Sequence, residues 1–292
     1  MKILVTGANG QVGFCLAQKL ADTAWDYLAL TRKELDITDL DAVEKLVGSY
    51  KPNIIINAAA YTAVDKAESD VDVANEINCI GAGNLAQAAN AIGAAIFHIS
   101  TDYVFAGDSP SPYSENDAVA PQGVYGLSKL KGEHLVATGN PHHIILRTAW
   151  VFGEHGNNFV KTMIRLGRDR EQLGIVADQV GAPTYAGDIA ETLLKLARKY
   201  ENESTLVWGV YHYSGSPQVS WYEFAQEIFL EASAQGLYTK PIPTLKPIAT
   251  IDYPTPAKRP ANSRLNCEKI QQEFCAELSD WKLALKNINA YA

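Results

Sequence analysis

The chain has 292 residues, 47% hydrophobic and 20% charged, with 33 acidic against 25 basic side chains and a formal charge of −8. That length carries one large or two small domains, and the composition is that of a compact folded protein rather than a disordered one. The acid excess argues against broad binding to nucleic acid or to an anionic membrane, because both need a basic face to displace counterions.

The opening run Met1-Lys2-Ile3-Leu4-Val5-Thr6-Gly7 is too short for a signal segment or a membrane span, so a cytoplasmic location is expected. Cys15, Cys79, Cys267 and Cys275 are scattered, with no CxxC and no histidine at metal-ligand spacing, and are expected as reduced thiols.

In chain order, the first half alternates short apolar runs with helical periodicity, the pattern of βαβ units and a parallel sheet. Strands are expected at Lys2–Thr6, Tyr27–Leu30, Asn53–Asn57, Ala95–Ser100 and His143–Arg147. Val12, Leu16 and Leu20 repeat at helical spacing, as do Val43, Leu46 and Val47 after a capping-box start at Thr38 and Asp41.

After Trp150 helices are expected over Phe159–Arg168, Asp188–Tyr200 and Trp221–Ala232, with a strand at Val207–Tyr213 that rejoins the main sheet. Lys240–Pro260 holds six prolines, too many for regular structure. The expected fold is therefore α/β: a doubly wound, Rossmann-like parallel sheet from 1–150 with about 184–214, and a smaller discontinuous domain from 151–183 and 215–292 over the carboxyl ends of the strands.

Thr6-Gly7-Ala8-Asn9-Gly10-Gln11-Val12-Gly13 follows a strand and opens a helix. In that setting Gly7 serves a tight turn, Gly10 close approach of a pyrophosphate and Gly13 helix–strand packing, with helix N–H groups facing the phosphates. Arg32 and Lys33 stand at the end of the second strand, where an acid would select a ribose hydroxyl. They suit a 2′-phosphate and so NADPH, or are ordinary surface cations. Asp36 and Ile37 are placed by the adenine edge, and the small residues Ala58, Ala59 and Ala60 let a cofactor lie close.

Tyr125 and Lys129 stand four residues apart, on one face of a helix. The ammonium is expected to draw the phenol down from about 10, so that Tyr125 can protonate a carbonyl oxygen as hydride reaches its carbon. Thr101, at the end of a strand, either hydrogen-bonds the same oxygen or simply ends that strand. Lys258, Arg259 and Arg264 in the Pro-rich stretch read as partners of a nucleotide diphosphate or as a solvated basic loop. Trp150 reads as a stacking surface for a sugar or as a core residue.

Taken together these segments resemble the extended short-chain dehydrogenase/reductase superfamily, and more closely its dTDP-4-dehydrorhamnose reductase family. GANGQVG at 7–13, NAAAYTAVDKAE at 57–68, STDYVF at 100–105, YGLSKLKGE at 125–133, RTAWVFG at 147–153, GNNF at 156–159, DQVGAPT at 178–184 and YPTPAKRPANSRL at 253–265 carry the likeness. The resemblance implies that Gly10, Gln11 and Val12 contact the pyrophosphate and that Ala60, Tyr61 and Thr62 line the cofactor cleft. It implies Thr101, Tyr125 and Lys129 as the catalytic set, with Asp102, Trp150 and Asn158 at the sugar nucleotide. The implied reaction is NADPH-dependent reduction of the 4-keto group of dTDP-4-dehydro-β-L-rhamnose, with NADH as a second candidate donor.

Some members of that family hold a divalent metal with an early glutamate where this chain has Cys15, so no required metal is expected although Asp188 and Glu191 are present. A monomer or a homodimer is expected. A 4,6-dehydratase is disfavoured because Asp102 is followed by Tyr103 rather than by a second acid. A 4-epimerase, or a non-catalytic regulatory subunit, remains as an alternative.

Overall fold

The computed structural model describes residues 1–238 and 241–292; Lys240, at the head of the Pro-rich stretch, lies outside them. Strands β1 (Lys2–Thr6), β2 (Asp26–Leu30), β3 (Ile54–Asn57), β4 (Ala95–Thr101) and β5 (His143–Thr148) join Gly209–His212 in one parallel sheet. Its order is Gly209–His212, β5, β4, β3, β1, β2, so the expected late strand does rejoin the sheet beside β5.

Ile54, Ile55 and Ile56 form an unbroken apolar run because a parallel strand is buried on both faces. Ile54 and Ile56 enter one apolar cluster with Leu16 and Leu193, while Ile55 enters the other with Val43 and Leu85. Helix α1 (Gln11–Ala21) packs against helix Ala186–Glu203, and helices Ala82–Ala91 and Val124–Gly139 pack together. From β1 the chain runs out to β2 and returns to β3 on the opposite side, so the strand order reverses there. A crevice opens beyond the carboxyl ends at such a point.

The cap of α2 (Leu40–Tyr50) differs from expectation. Asp39, not Thr38, is the N-cap, its side chain accepting from the Ala42 N–H, while the Thr38 hydroxyl donates to Asp36. A carboxylate one residue closer to the first turn serves the free N–H groups better than a hydroxyl already engaged. The Pro-rich stretch also corrects expectation: Thr244–Ile248 is a strand paired with Gln172–Val176. Pro247 is tolerated because this is a two-stranded sheet, where an edge is always available for the missing donor.

A third apolar cluster, from Phe152, Val160, Ile164, Phe224, Phe229, Trp281 and Tyr291, lies apart from the two that sandwich the sheet. It is built on helices Phe159–Asp169 and Trp221–Ala234, the latter opened by a capping box between Ser220 and Glu223.

Candidate active site

The cofactor cradle begins at the end of β1. Gly7 has φ +75, and a Cβ on Gly13 would stand 2.1 Å from the Gly7 carbonyl oxygen, so the helix start meets the turn at a distance only glycine allows. Helix α1 starts after Gly10 with no side-chain cap and no acid in its first turn. Its leading N–H groups are therefore left for an anion, which fits a pyrophosphate. Gln11 and Val12 form that first turn.

At the end of β2 Arg32 pairs with Asp36 at 3.1 Å, its side chain 66% exposed. An exposed pair of this kind holds its partners weakly, which leaves the guanidinium able to turn to a phosphate. Ile37 is buried in the cluster of Leu4 and Val43, so its side chain belongs to the core rather than to the surface by an adenine. The turn of Ala60, Tyr61 and Thr62 after β3 is tied down by Asn78. The Asn78 Oδ1 accepts from the Tyr61 N–H at 2.8 Å, and its Nδ2 donates to the Tyr61 carbonyl and to Ser128 Oγ. Asn78 lies in a π-helical turn, Glu76–Gly81, and joins the cofactor side to the catalytic helix; the sequence reading missed it.

Tyr125 and Lys129 stand one turn apart near the start of helix Val124–Gly139, and Thr101 ends β4. Burial holds the Tyr125 phenol well above its ordinary range, while its contact with the Thr101 hydroxyl draws it back in part. The sequence reading expected Lys129 to bring the phenol down, and the structure corrects this. Desolvation of a phenolate dominates here, and the Lys129 ammonium turns toward β4, donating to the Ile99 carbonyl at 2.7 Å. Lys129 itself is pushed down to about 8 by burial, against an opposing pull from Glu133. Tyr103 packs edge-on against Tyr125, ring centroids 5.4 Å apart.

Asp102 is buried at 4% exposure, and its Oδ2 has no hydrogen-bond partner among the described residues. Burial lifts its carboxyl to about 6, although Thr101 donates to Oδ1 at 3.1 Å and the nearby Ser263 hydroxyl also favours the charged form. An unpaired acceptor at such depth is what a ligand hydroxyl would satisfy.

A cavity of about 680 Å³ opens between the sheet and the smaller cluster. Trp150 and Arg259 line it, together with Tyr103, Arg170, Trp221 and Ser263, of which the sequence reading had named only the first two. Trp150 has φ 50 and stacks on Trp221 at 3.5 Å, so one face of its indole is already covered. Arg259 donates to the Tyr103 hydroxyl at 3.0 Å and pairs with Asp65. Lys258 lies at a separate small recess with Gln122 and Gly123, donating to Gln122 at 3.2 Å. Arg264 is bound to Asn262 and to the Pro110 carbonyl and does not line the cavity.

Asn158 is likewise placed differently from expectation. Its Oδ1 caps helix Phe159–Asp169 at Lys161 N–H, and its Nδ2 donates to Gln11 Oε1 and the Gly153 carbonyl, so both amide hydrogens are engaged within the protein. It couples the smaller cluster to the GANGQVG turn instead.

A parallel sheet with its glycine turn at the switch point, and a Tyr–Lys helix beside the end of β4, is the framework of hydride-transferring short-chain dehydrogenases and reductases, and the chain is an enzyme of this class. Residues 1–291 match the family described as the RmlD substrate binding domain, and the chain belongs to that family. It is 53% identical to a dTDP-4-dehydrorhamnose reductase of Aggregatibacter actinomycetemcomitans over 292 residues, covering 100% of this chain and 99% of the relative. Its structure is similar to a crystal structure of a dTDP-4-dehydrorhamnose reductase from Clostridium acetobutylicum (TM-score 0.91, 42% identity, 99% and 98% of the two chains). It is also similar to that of a dTDP-4-dehydrorhamnose reductase from Bacillus anthracis in complex with NADP (TM-score 0.91, 38% identity, 100% and 99%).

Proposed function

We propose that the protein reduces the 4-keto group of dTDP-4-dehydro-β-L-rhamnose to dTDP-β-L-rhamnose with NADPH in the cytoplasm, the last step in making that activated sugar. The observation that carries this reading is the full-length relationship, at 53% identity, to a reductase of that name. The cradle described above fits the cofactor, since the turn at Gly7, Gly10 and Gly13 and the uncapped start of α1 leave backbone N–H groups for a pyrophosphate. The bound nicotinamide supplies the hydride.

The chain's own residues supply the rest. Burial keeps Tyr125 protonated, so its proton is in place for the oxygen that gains charge as hydride arrives, and giving it up depends on stabilising the phenolate. Thr101 shares that oxygen once its hydroxyl, which donates to Asp102 Oδ1 at 3.1 Å, turns toward it. Lys129, charged and one turn away, stabilises the phenolate left behind. Asp102 Oδ2 accepts from a sugar hydroxyl, and Arg259 and Arg170 in the cavity offset the diphosphate charge. In this reading residues 1–150 with about 184–214 hold the dinucleotide, and 151–183 with 215–292 hold the sugar nucleotide.

The test is to follow loss of reduced cofactor when the protein meets dTDP-4-dehydro-β-L-rhamnose. One NADPH consumed per dTDP-β-L-rhamnose formed is the expected result. Tight cofactor binding with no net oxidation would overturn it in favour of an epimerase.

A further inference from the structure

A chain of buried polar side chains crosses β1, β3 and β4 beneath the site. Thr6 Oγ1 donates to Asn57 Oδ1 at 2.8 Å, Asn57 Nδ2 lies 3.0 Å from His98 Nδ1, and His98 Nε2 lies 3.3 Å from Lys129 Nζ. Thr6, Asn57, His98 and Lys129 are all 2% exposed or less. Polar groups at this depth must match donor to acceptor, so the proton positions follow from an inventory of the groups.

The Ala59 N–H lies 3.1 Å from Asn57 Oδ1 and can only donate, so that atom is the amide oxygen and the amide cannot be reversed. Asn57 Nδ2 therefore donates to His98 Nδ1. Burial first, and the Lys129 charge second, hold His98 well below its ordinary range, so the ring is neutral and carries one proton. With Nδ1 accepting, that proton sits on Nε2 and points at Lys129. An ammonium there faces a donor and finds one acceptor among the described residues, the Ile99 carbonyl at 2.7 Å; an amine would accept from Nε2–H and donate to Ile99.

We propose that Asn57 and His98 are positioning residues that lock an N–H donor against Lys129 and so weaken its hold on its proton. This rests on the reductase reading, in which the charge of Lys129 is needed, and the chain then sets the pH above which activity falls. The titratable groups that bear on Lys129 are His98 from β4, Glu133 and Tyr125 from its own helix, and Arg147 of β5 through its ion pair with Glu133. Glu133 pulls toward the charged form and His98 against it.

Nitrogen NMR of the wild-type protein labelled with 15N-histidine, with His98→Leu to assign the signal, reads the tautomer directly and needs no turnover. A neutral ring with a bare Nδ1 and a protonated Nε2, unchanged over roughly pH 6 to 9, is expected. A proton on Nδ1, or titration in that range, overturns the proposal. In the pH profile of kcat/KM, His98→Leu should move the alkaline limb up by about half a pH unit or more. An unmoved limb in a folded variant, with only kcat reduced, would leave His98 a merely structural part and also overturn it. If His98→Leu does not fold, His98→Gln assigns the signal instead, and the wild-type tautomer then decides. Absence of turnover with the expected tautomer would fault the reductase reading and not the donor chain.

Discussion

Asp102→Asn separates the stability of the protein from its function at one atom. The wild-type carboxyl is buried, its Oδ2 unpaired, and its titration is lifted from 3.8 to about 6. A carboxyl raised on folding binds its proton more tightly in the native state, so its contribution to stability is complete below about 3.8 and is lost as pH climbs to about 6. That rise corresponds to about 3 kcal/mol. Asparagine does not titrate, so the stability of the variant minus that of the wild type should grow by about 3 kcal/mol between roughly pH 4 and pH 7 and then level off. Urea unfolding of both proteins at each pH measures it, and the subtraction cancels groups that titrate alike in the two. A difference flat with pH would refute the reasoning, because Asp102 would then titrate normally. On the proposed reading turnover should also fall in this variant, since an amide would replace the carboxylate proposed to accept a sugar hydroxyl.

Glu133→Gln should cost about 3–5 kcal/mol, because it strips the buried Arg147 guanidinium of its partner, now 2.6 Å away, and leaves that charge uncompensated; urea unfolding reads this, and a loss under about 1 kcal/mol would mean that Arg147 is solvated. Gly13→Ala places a Cβ 2.1 Å from the Gly7 carbonyl, so the turn must open, and NADPH affinity by fluorescence titration should drop about tenfold or more. Arg259→Met should raise KM for the sugar nucleotide about tenfold or more with a smaller change in kcat; little loss of fold is expected, because the Asp65 it leaves is 41% exposed.

The sheet was legible in the sequence because its strands are short apolar runs between turn residues, and the run Ile54–Ile56 could hardly be anything but a parallel strand. The cradle was legible because Gly7 and Gly13 act locally, within one turn. The cavity was not, since Arg170, Trp221 and Ser263 meet only through the packing of a chain segment over 90 residues long, and nothing local in their surroundings marks them. Asn158 misled for a related reason: an asparagine before an apolar helix is as good a cap as a ligand, and the cap won. The Lys129 expectation failed on desolvation, a quantity that spacing does not contain. Asn78 gave no local signal, since it lies inside a helical run that continues from Val71 to Ala91, and its three hydrogen bonds needed the fold to be seen.

The most direct test of the account is Tyr125→Phe, which removes one hydroxyl and keeps the ring packed against Tyr103. NADPH oxidation with dTDP-4-dehydro-β-L-rhamnose should slow by about 10²–10⁴-fold while NADPH affinity stays within about threefold of wild type. Turnover within about tenfold of wild type would contradict Tyr125 as the proton donor.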